Sequence, residues 1–321
     1  MANGTPITAY HHLQAPTKEV SGWRGLIRTS RTPLITEVYQ LQKVNNKPYI
    51  PTNKLIGASL LRRAGEIEVK HLYKSFGDKE VLKDINTVFE DGKTNLIIGQ
   101  SGAGKTVLMR SLTGLLDPTS GEVLYDGRNF VNMTKKEKIL MRREMGMIFQ
   151  GAALFDSLTV LENVRFPLDM FSDMTAQERD KRAMECLERV NLTGAEQKFP
   201  GEISGGMQKR VAIARAIVMN PKYLFCDEPN SGLDPKTSLV IDELLTSITR
   251  EFNMTTIINT HDMNSVMGIG ENILFIADGR KEWQGNKDSV ISSRNKKLND
   301  LVFASDLFKK VKSMEESKTT L

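Results

Sequence analysis

Gly99-Gln-Ser-Gly-Ala-Gly-Lys-Thr106 is the stretch from which the rest of the chain is best read. Its spacing, G-x-x-x-x-G-K-[ST], is that of a phosphate-gripping loop. The glycines let backbone N–H groups turn inward and approach a polyphosphate closely. The flanks supply the context such a loop needs. Asn95-Leu-Ile-Ile98 predicts a short buried strand, and Val107 to Leu112 predicts the start of a helix whose N-terminal field favours an anion. Lys105 is expected to reach the β- and γ-phosphates, and the Thr106 hydroxyl to ligate Mg²⁺.

Upstream, Ile67-Glu-Val-Lys-His-Leu-Tyr73 alternates apolar and polar residues as a half-buried strand does, and Leu82 to Phe89 repeats the signal before a turn at Asp91-Gly92. Downstream, the loop helix is expected to stop at Asp117-Pro118. A strand over Gly121–Gly127, a polar helix over Lys135–Arg143 and a strand over Met145–Phe149 follow. Residues 158–200 read as mostly helical. Within them Thr175-Ala-Gln-Glu178 is a capping box ahead of Ala183, Cys186, Leu187 and Val190 at helical spacing. Met207–Met219 predicts another helix, Tyr223–Cys226 a strand, and Asp234-Pro235 the start of a helix whose core face is Ile241, Leu244, Leu245 and Ile248. Thr255–Asn259 and Ile273–Ile276 complete the strands. Alternating strands and helices with a helix-rich insertion predict a mostly parallel α/β core with a helical subdomain.

Composition bounds the function classes. The 321 residues are 40% hydrophobic and 26% charged, ordinary for a globular protein with a sizeable core. No run approaches the roughly 18 apolar residues of a membrane span, so any membrane role is expected to come through a partner. The two cysteines, Cys186 and Cys226, have no metal or disulfide spacing. Residues 1–64 carry nine basic side chains against Glu19 and Glu37. That excess of seven, in a chain of net charge +5, leaves residues 65–321 at −2. A near-neutral body argues against one built to coat nucleic acid. The basic segment 1–64 has no clear period and reads as a disordered tail or a non-native extension; an organelle transit peptide shares its composition.

The chemistry-bearing residues cluster at predicted strand ends. Asp227-Glu228 follows a core strand, where open α/β sheets bind ligands. Asp227 is expected to hold Mg²⁺ and Glu228 to orient or deprotonate the attacking water. His261 follows the next strand and suits a bond to a γ-phosphate. Gln150 ends the strand Met145–Phe149, where its amide can touch Mg²⁺ or water. Ser204-Gly205-Gly206 opens a second helix N-terminus and hence a second anion site. Two such sites suit two chains, each offering this helix to its neighbour's phosphate loop.

In this order the motifs resemble those of the ATP-binding cassette family over about residues 66–290. They are the P-loop Gly99–Thr106, Q-loop Gln150, signature Ser204-Gly-Gly-Met-Gln208, Walker B 223–228, D-loop Ser231-Gly-Leu-Asp234 and switch His261. Phe76 matches the aromatic position that stacks on adenine. Met207 departs from the family's usual Gln. The resemblance implies an α/β P-loop NTPase (RecA-like) core with an antiparallel β subdomain and a helical subdomain at about 151–205. The ATP-binding domain is then 65–290, followed by a C-terminal amphipathic extension, 291–321, with Leu298, Leu301, Val302, Phe308 and Val311 on one face. It also implies binding of ATP and Mg²⁺ in a head-to-tail dimer. The nucleotide lies on Gly99, Gln100, Ser101, Gly102, Ala103, Gly104, Lys105, Thr106 and Phe76, against the partner's Ser204, Gly205, Gly206 and Asp234. Thr106, Gln150 and Asp227 hold the metal, and Glu228, His261 and Gln150 serve hydrolysis.

A narrower resemblance, to the ATPase of MCE-associated (Mla-type) lipid transporters, rests on Phe149-Gln-Gly-Ala-Ala-Leu-Phe155, Leu158–Val164, the Ser-Gly-Gly-Met form followed by Lys209-Arg210, Ala214-Arg-Ala-Ile217 and Asn230. It implies transport of phospholipids or related lipids. The partners are a second ATP-binding subunit, a transmembrane permease, an MCE substrate-binding protein and in some systems a STAS-domain protein. The location is the cytoplasm, at the inner face of the membrane. Leu154, Phe155, Val160 and Phe166 are expected to line a groove for a permease helix. An ATPase of another importer or exporter, or a soluble cassette ATPase, is the alternative.

Overall fold

A computed structural model describes residues 65–304. Strands β1 (Ile67–Phe76), β2 (Lys79–Phe89), β4 (Ser120–Tyr125) and β5 (Arg128–Asn129) form an antiparallel sheet in the order β2-β1-β4-β5. Strands β3 (Thr94–Ile98), β6 (Met145–Ile148), β7 (Tyr223–Asp227), β8 (Thr255–Asn259), β9 (Asn272–Ala277) and β10 (Arg280–Gly285) form a second sheet in the order β10-β9-β3-β8-β7-β6. In this second sheet all pairs are parallel except β9–β10. The helices in chain order are α1 (Lys105–Leu112), α2 (Lys135–Arg142), α3 (Val160–Phe171), α4 (Ala176–Arg189), α5 (Gly205–Ile217), α6 (Pro235–Glu251), α7 (Met263–Ile269), α8 (Lys287–Ser292) and α9 (Lys296–Val302).

The parallel strands are covered on both faces, which is why they read as unbroken apolar runs. Alternate residues feed two separate cores. Ile97, Tyr223, Phe225 and Ile257 join the antiparallel sheet and α1 in one. Leu96, Ile98, Leu224, Cys226 and Ile258 join α3 to α6 in the other. Helices α2, α3 and α4 start with reciprocal capping boxes, Thr134/Glu137, Thr159/Glu162 and Thr175/Glu178, each satisfying two otherwise orphaned N–H groups.

Several expectations are corrected. Helix α1 ends at Leu112, not at Asp117-Pro118, because Gly114 turns the chain at φ +67 and Arg142 Nη2 donates to its carbonyl at 2.6 Å. The stretch 158–200 is mostly helical as expected, holding α3 and α4 before an irregular run to a single 3₁₀ turn at Pro200–Glu202. Helix α5 begins two residues before Met207. Strand β10 and helix α8 were not expected. Val160 is fully buried and Phe155 nearly so, their rings and methyls packed inward, with Phe155 4.7 Å from the Phe166 ring; they belong to the core and not to a groove. Leu298 and Val302 on α9 are also buried against the chain's own body, while Phe308, Val311 and residues 1–64 lie outside the described residues.

Candidate functional site

Because β3, β8, β7 and β6 run parallel and adjacent, their carboxyl ends open on one edge. The loop Gly99–Thr106 leaves β3 and feeds α1. Gly99 has no substitute here, since a Cβ would stand 2.2 Å from the Ile276 carbonyl oxygen. Gly104 begins α1 at φ +106, a conformation open to glycine, and provides no side-chain cap, so the first-turn N–H groups of α1 are left for another acceptor. Lys105 is buried and folds back along the loop. Its Nζ donates to Gly99 O at 2.8 Å and Gln100 O at 3.1 Å. Burial lowers its pKa, opposed by the nearby Glu228 and Asp227 carboxylates.

Asp227 closes β7. Burial raises its carboxyl pKa, while a bond from Asn259 Nδ2 to Oδ1 at 2.6 Å works against that rise. Glu228 follows in the left-handed region at φ +51, its N–H bonded to Asn259 O at 2.9 Å. Its Oε2 lies 2.6 Å from His261 Nδ1, so the two residues expected to serve the reaction are in direct contact.

Gln150 points elsewhere: its Nε2 donates to Ser231 Oγ at 3.0 Å, joining the Q-loop to the D-loop. Its own carbonyl accepts from Lys209 Nζ. The next residues are also held by α5. Ala152 and Ala153 are both left-handed, at φ +59 and +49, and Arg215 donates to their carbonyls at 2.7 and 2.8 Å. Burial pushes the Arg215 guanidinium down to about 10 and also lowers Lys209. The fully buried Asn163 fixes the following turn by bonding the backbone of Phe155, Leu158 and Thr159.

Ser204 caps α5, accepting from Met207 N at 3.3 Å, so the Met at this position costs the cap nothing. Gly206 lies against the start of α6, where an added Cβ would meet Thr237 Cγ2 at 2.9 Å. Asp234 caps that helix through Thr237 N at 3.0 Å and Thr237 Oγ1 at 2.5 Å. Among the described residues, no hydrogen bond joins Ser204, Gly205, Gly206 or Asp234 to the loop Gly99–Thr106. Phe76 ends β1 half exposed, with Lys74 Nζ 5.0 Å above its ring. The edge therefore gathers Lys105, Thr106, Asp227, Glu228 and His261, and leaves the signature residues apart. Asn259 has no role in the sequence reading, and Lys209, Arg215 and Ser231 stand there only as members of motifs, without the bonds they make. Only Asn259 carried a signal, as a polar residue ending an apolar strand.

A parallel sheet edge bearing this loop defines a P-loop nucleotide-binding protein. The family model described as ABC transporter matches residues 82–231. The probable ribonucleotide transport ATP-binding protein mkl of Mycobacterium leprae is 40% identical over 207 residues, covering 64% of this chain and 60% of that protein. The methionine import ATP-binding protein MetN of Corynebacterium jeikeium is 38% identical over 252 residues, 77% of this chain and 68% of that one. A solved ATP-binding cassette, dimeric in a post-hydrolysis state with ADP and Pi, has TM-score 0.63 and 34% identity, covering 69% of this chain and 98% of its own. The chain belongs to the ABC transporter ATP-binding family, with the cassette fold. It spans about 60% of the length of the mkl proteins it matches.

Proposed function

We propose that this chain is the ATP-hydrolysing subunit of a membrane ABC transporter and works as a head-to-tail pair. The observation that carries the reading is the Glu228–His261 pair at 2.6 Å on the edge that also holds Lys105, Thr106 and Asp227. Lys105 exchanges the two loop carbonyls for phosphate oxygens. The uncapped N–H groups of α1 take the remaining phosphate charge. Phe76 offers its exposed ring to the adenine. Glu228 accepts the proton of the attacking water, with His261 holding the carboxylate in place. Thr106, Asp227 and, once it leaves Ser231, Gln150 would hold Mg²⁺. This all-oxygen donor set of hydroxyl, carboxylate and amide suits that ion. The buried Asn259 amide beside them, with its Oδ1 unpartnered, marks the pocket as polar. The metal supplies charge neutralisation on the phosphates. Ser204, Gly205, Gly206 and Asp234 of a second copy complete the site, in keeping with their separation from Gly99–Thr106 within one chain. The ATP-binding domain is read as 65–290, with its helical part at about 151–205.

The test is Glu228→Gln in the full chain. Turnover should fall about 10³-fold while ATP still binds and the dimer becomes long-lived by size exclusion. Unchanged turnover would remove Glu228 from the reaction.

The transporter and its cargo are a further step. Among the described residues no helix is long and apolar enough to cross a membrane, so the proposed place is the inner membrane face on a multi-span permease. The relatives named above are assigned different cargoes, ribonucleotides and methionine, so a shared cassette leaves cargo open. The lipid reading, with an MCE protein and a STAS-domain protein as partners, rests on the residue pattern of 149–164, 204–217 and Asn230. Isolation of the chain from membranes with a permease and an MCE protein supports it. Isolation with a permease and a soluble amino-acid or nucleotide receptor replaces it with another importer.

A further inference from the structure

Strand β8 ends on a residue to which the proposed function assigns no part. Asn259 is wholly enclosed, next to Ile257 and Ile258, which serve packing with hydrocarbon alone. Its register partners are Ile97, two residues before the phosphate loop, and Asp227. Its Nδ2 donates to Asp227 Oδ1 at 2.6 Å and to Thr106 Oγ1 at 3.3 Å. Its backbone carbonyl accepts from Glu228 N at 2.9 Å. Its Oδ1 is buried without a partner. The amide orientation is thus set by the two Nδ2 bonds. Turned over, it would present Oδ1 to the Asp227 carboxylate, acceptor against acceptor. A buried amide with half its capacity unused lowers stability, so packing gives no reason for Asn at this point.

We infer that Asn259 is the positioning residue of the divalent-cation site: it holds the Asp227 carboxylate and the Thr106 hydroxyl at one spacing and leaves Asp227 Oδ2 free for the metal. The inference rests on the proposed assignment of Thr106 and Asp227 to Mg²⁺. Among the described residues, Asn259 is the side chain that bonds both. These two groups come from different elements, α1 and β7, so nothing in local geometry fixes their separation. Partners behind metal-holding groups set metal affinity by limiting which arrangements those groups can adopt.

Two variants test it in the full chain, Asn259→Leu, of similar size without a donor, and Asn259→Ser, too short to reach Asp227. Binding of a fluorescent ATP analogue is measured with and without Mg²⁺, and Mn²⁺ affinity is measured by electron paramagnetic resonance. Both variants should lose about 10- to 100-fold in metal affinity, with metal-free nucleotide affinity kept within about twofold. Metal affinity equal to that of the unaltered chain in a variant that binds nucleotide overturns the inference. So does a loss of metal-free nucleotide binding as large as the loss of metal, which makes Asn259 a packing residue. If the unaltered chain binds nucleotide equally well with and without Mg²⁺, the assignment of Thr106 and Asp227 fails first.

Discussion

Two helices of this molecule begin where an anion is expected, and they begin differently. Helix α1 starts from a left-handed Gly104 with no side-chain cap, rooted by β3 in the centre of a six-stranded sheet. Helix α5 starts from an extended Ser204 whose hydroxyl already accepts from Met207 N, and it packs among α3, α4 and β6. The first end has no side-chain cap, so its N–H groups are left for another acceptor. The second is capped and belongs to the helical part. It is tied to the Q-loop by Lys209 and Arg215, which bond the carbonyls of Gln150, Ala152 and Ala153. One end is left open and the other is bound through side chains of its own helix to the loop after β6.

The tie is the place to break that contrast with the largest effect on stability. Arg215→Met strands two carbonyls on consecutive left-handed alanines. It should cost about 2 kcal/mol, a drop of about 5 °C in midpoint by thermal unfolding. Nucleotide affinity at the α1 end should stay as it was. Arg215→Lys, which keeps one donor, should fall between. Equal loss of nucleotide binding in Arg215→Met would show that the two ends are not separable.

Much of the gripping end is legible in sequence because its signals are local. The apolar run of β3 stops at the glycine loop, β7 stops at Asp227-Glu228, and Asp234-Pro235 is both cap and first turn of α6. The tie is not legible, since Arg215 and Lys209 look like ordinary helix residues until the fold sets them under carbonyls some sixty positions away. Strand β10, Arg280–Gly285, hid for another reason. It is an antiparallel edge with exposed charges, which blunts unwanted pairing and erases the alternation that marks a strand. The Gln150–Ser231 bond was hidden because both residues carry motif roles that pointed elsewhere.

A smaller change sharpens the contrast at the α5 end. Ser204→Ala removes the cap from Met207 N and makes the start of α5 as uncapped as that of α1. The expected cost is about 1 kcal/mol in denaturant unfolding. If the capped end is offered to a second copy, the Glu228→Gln variant should also lose its ATP-dependent dimer when Ser204→Ala is added, while ATP binding to the single chain persists. A dimer of undiminished stability would take Ser204 out of the interface.

The smallest expected effect lies behind the D-loop. Asp242 on α6 is buried and accepts from Asn230 Nδ2 at 2.7 Å; that amide also donates to Ser265 Oγ on α7 at 3.2 Å. Burial raises the Asp242 carboxyl above its ordinary value, with the bonds from Ser265 and Asn230 opposing the rise. A raised acid keeps its proton in the folded chain at a pH where the unfolded chain has released it. The folded state then binds more protons, and stability falls as pH increases. From this group stability is greatest below the ordinary carboxylate pKa of about 4, and it is lost as pH climbs through the folded value. Asp242→Asn keeps the shape and cannot ionise. The melting point of the variant relative to the unaltered chain should therefore rise between about pH 4 and about pH 8. A difference that stays flat with pH would mean that Asn230 and Ser265 compensate the burial in full. The Asp242–Asn230 bond behind the D-loop would then be insensitive to protons, its carboxylate as comfortable inside the fold as in water.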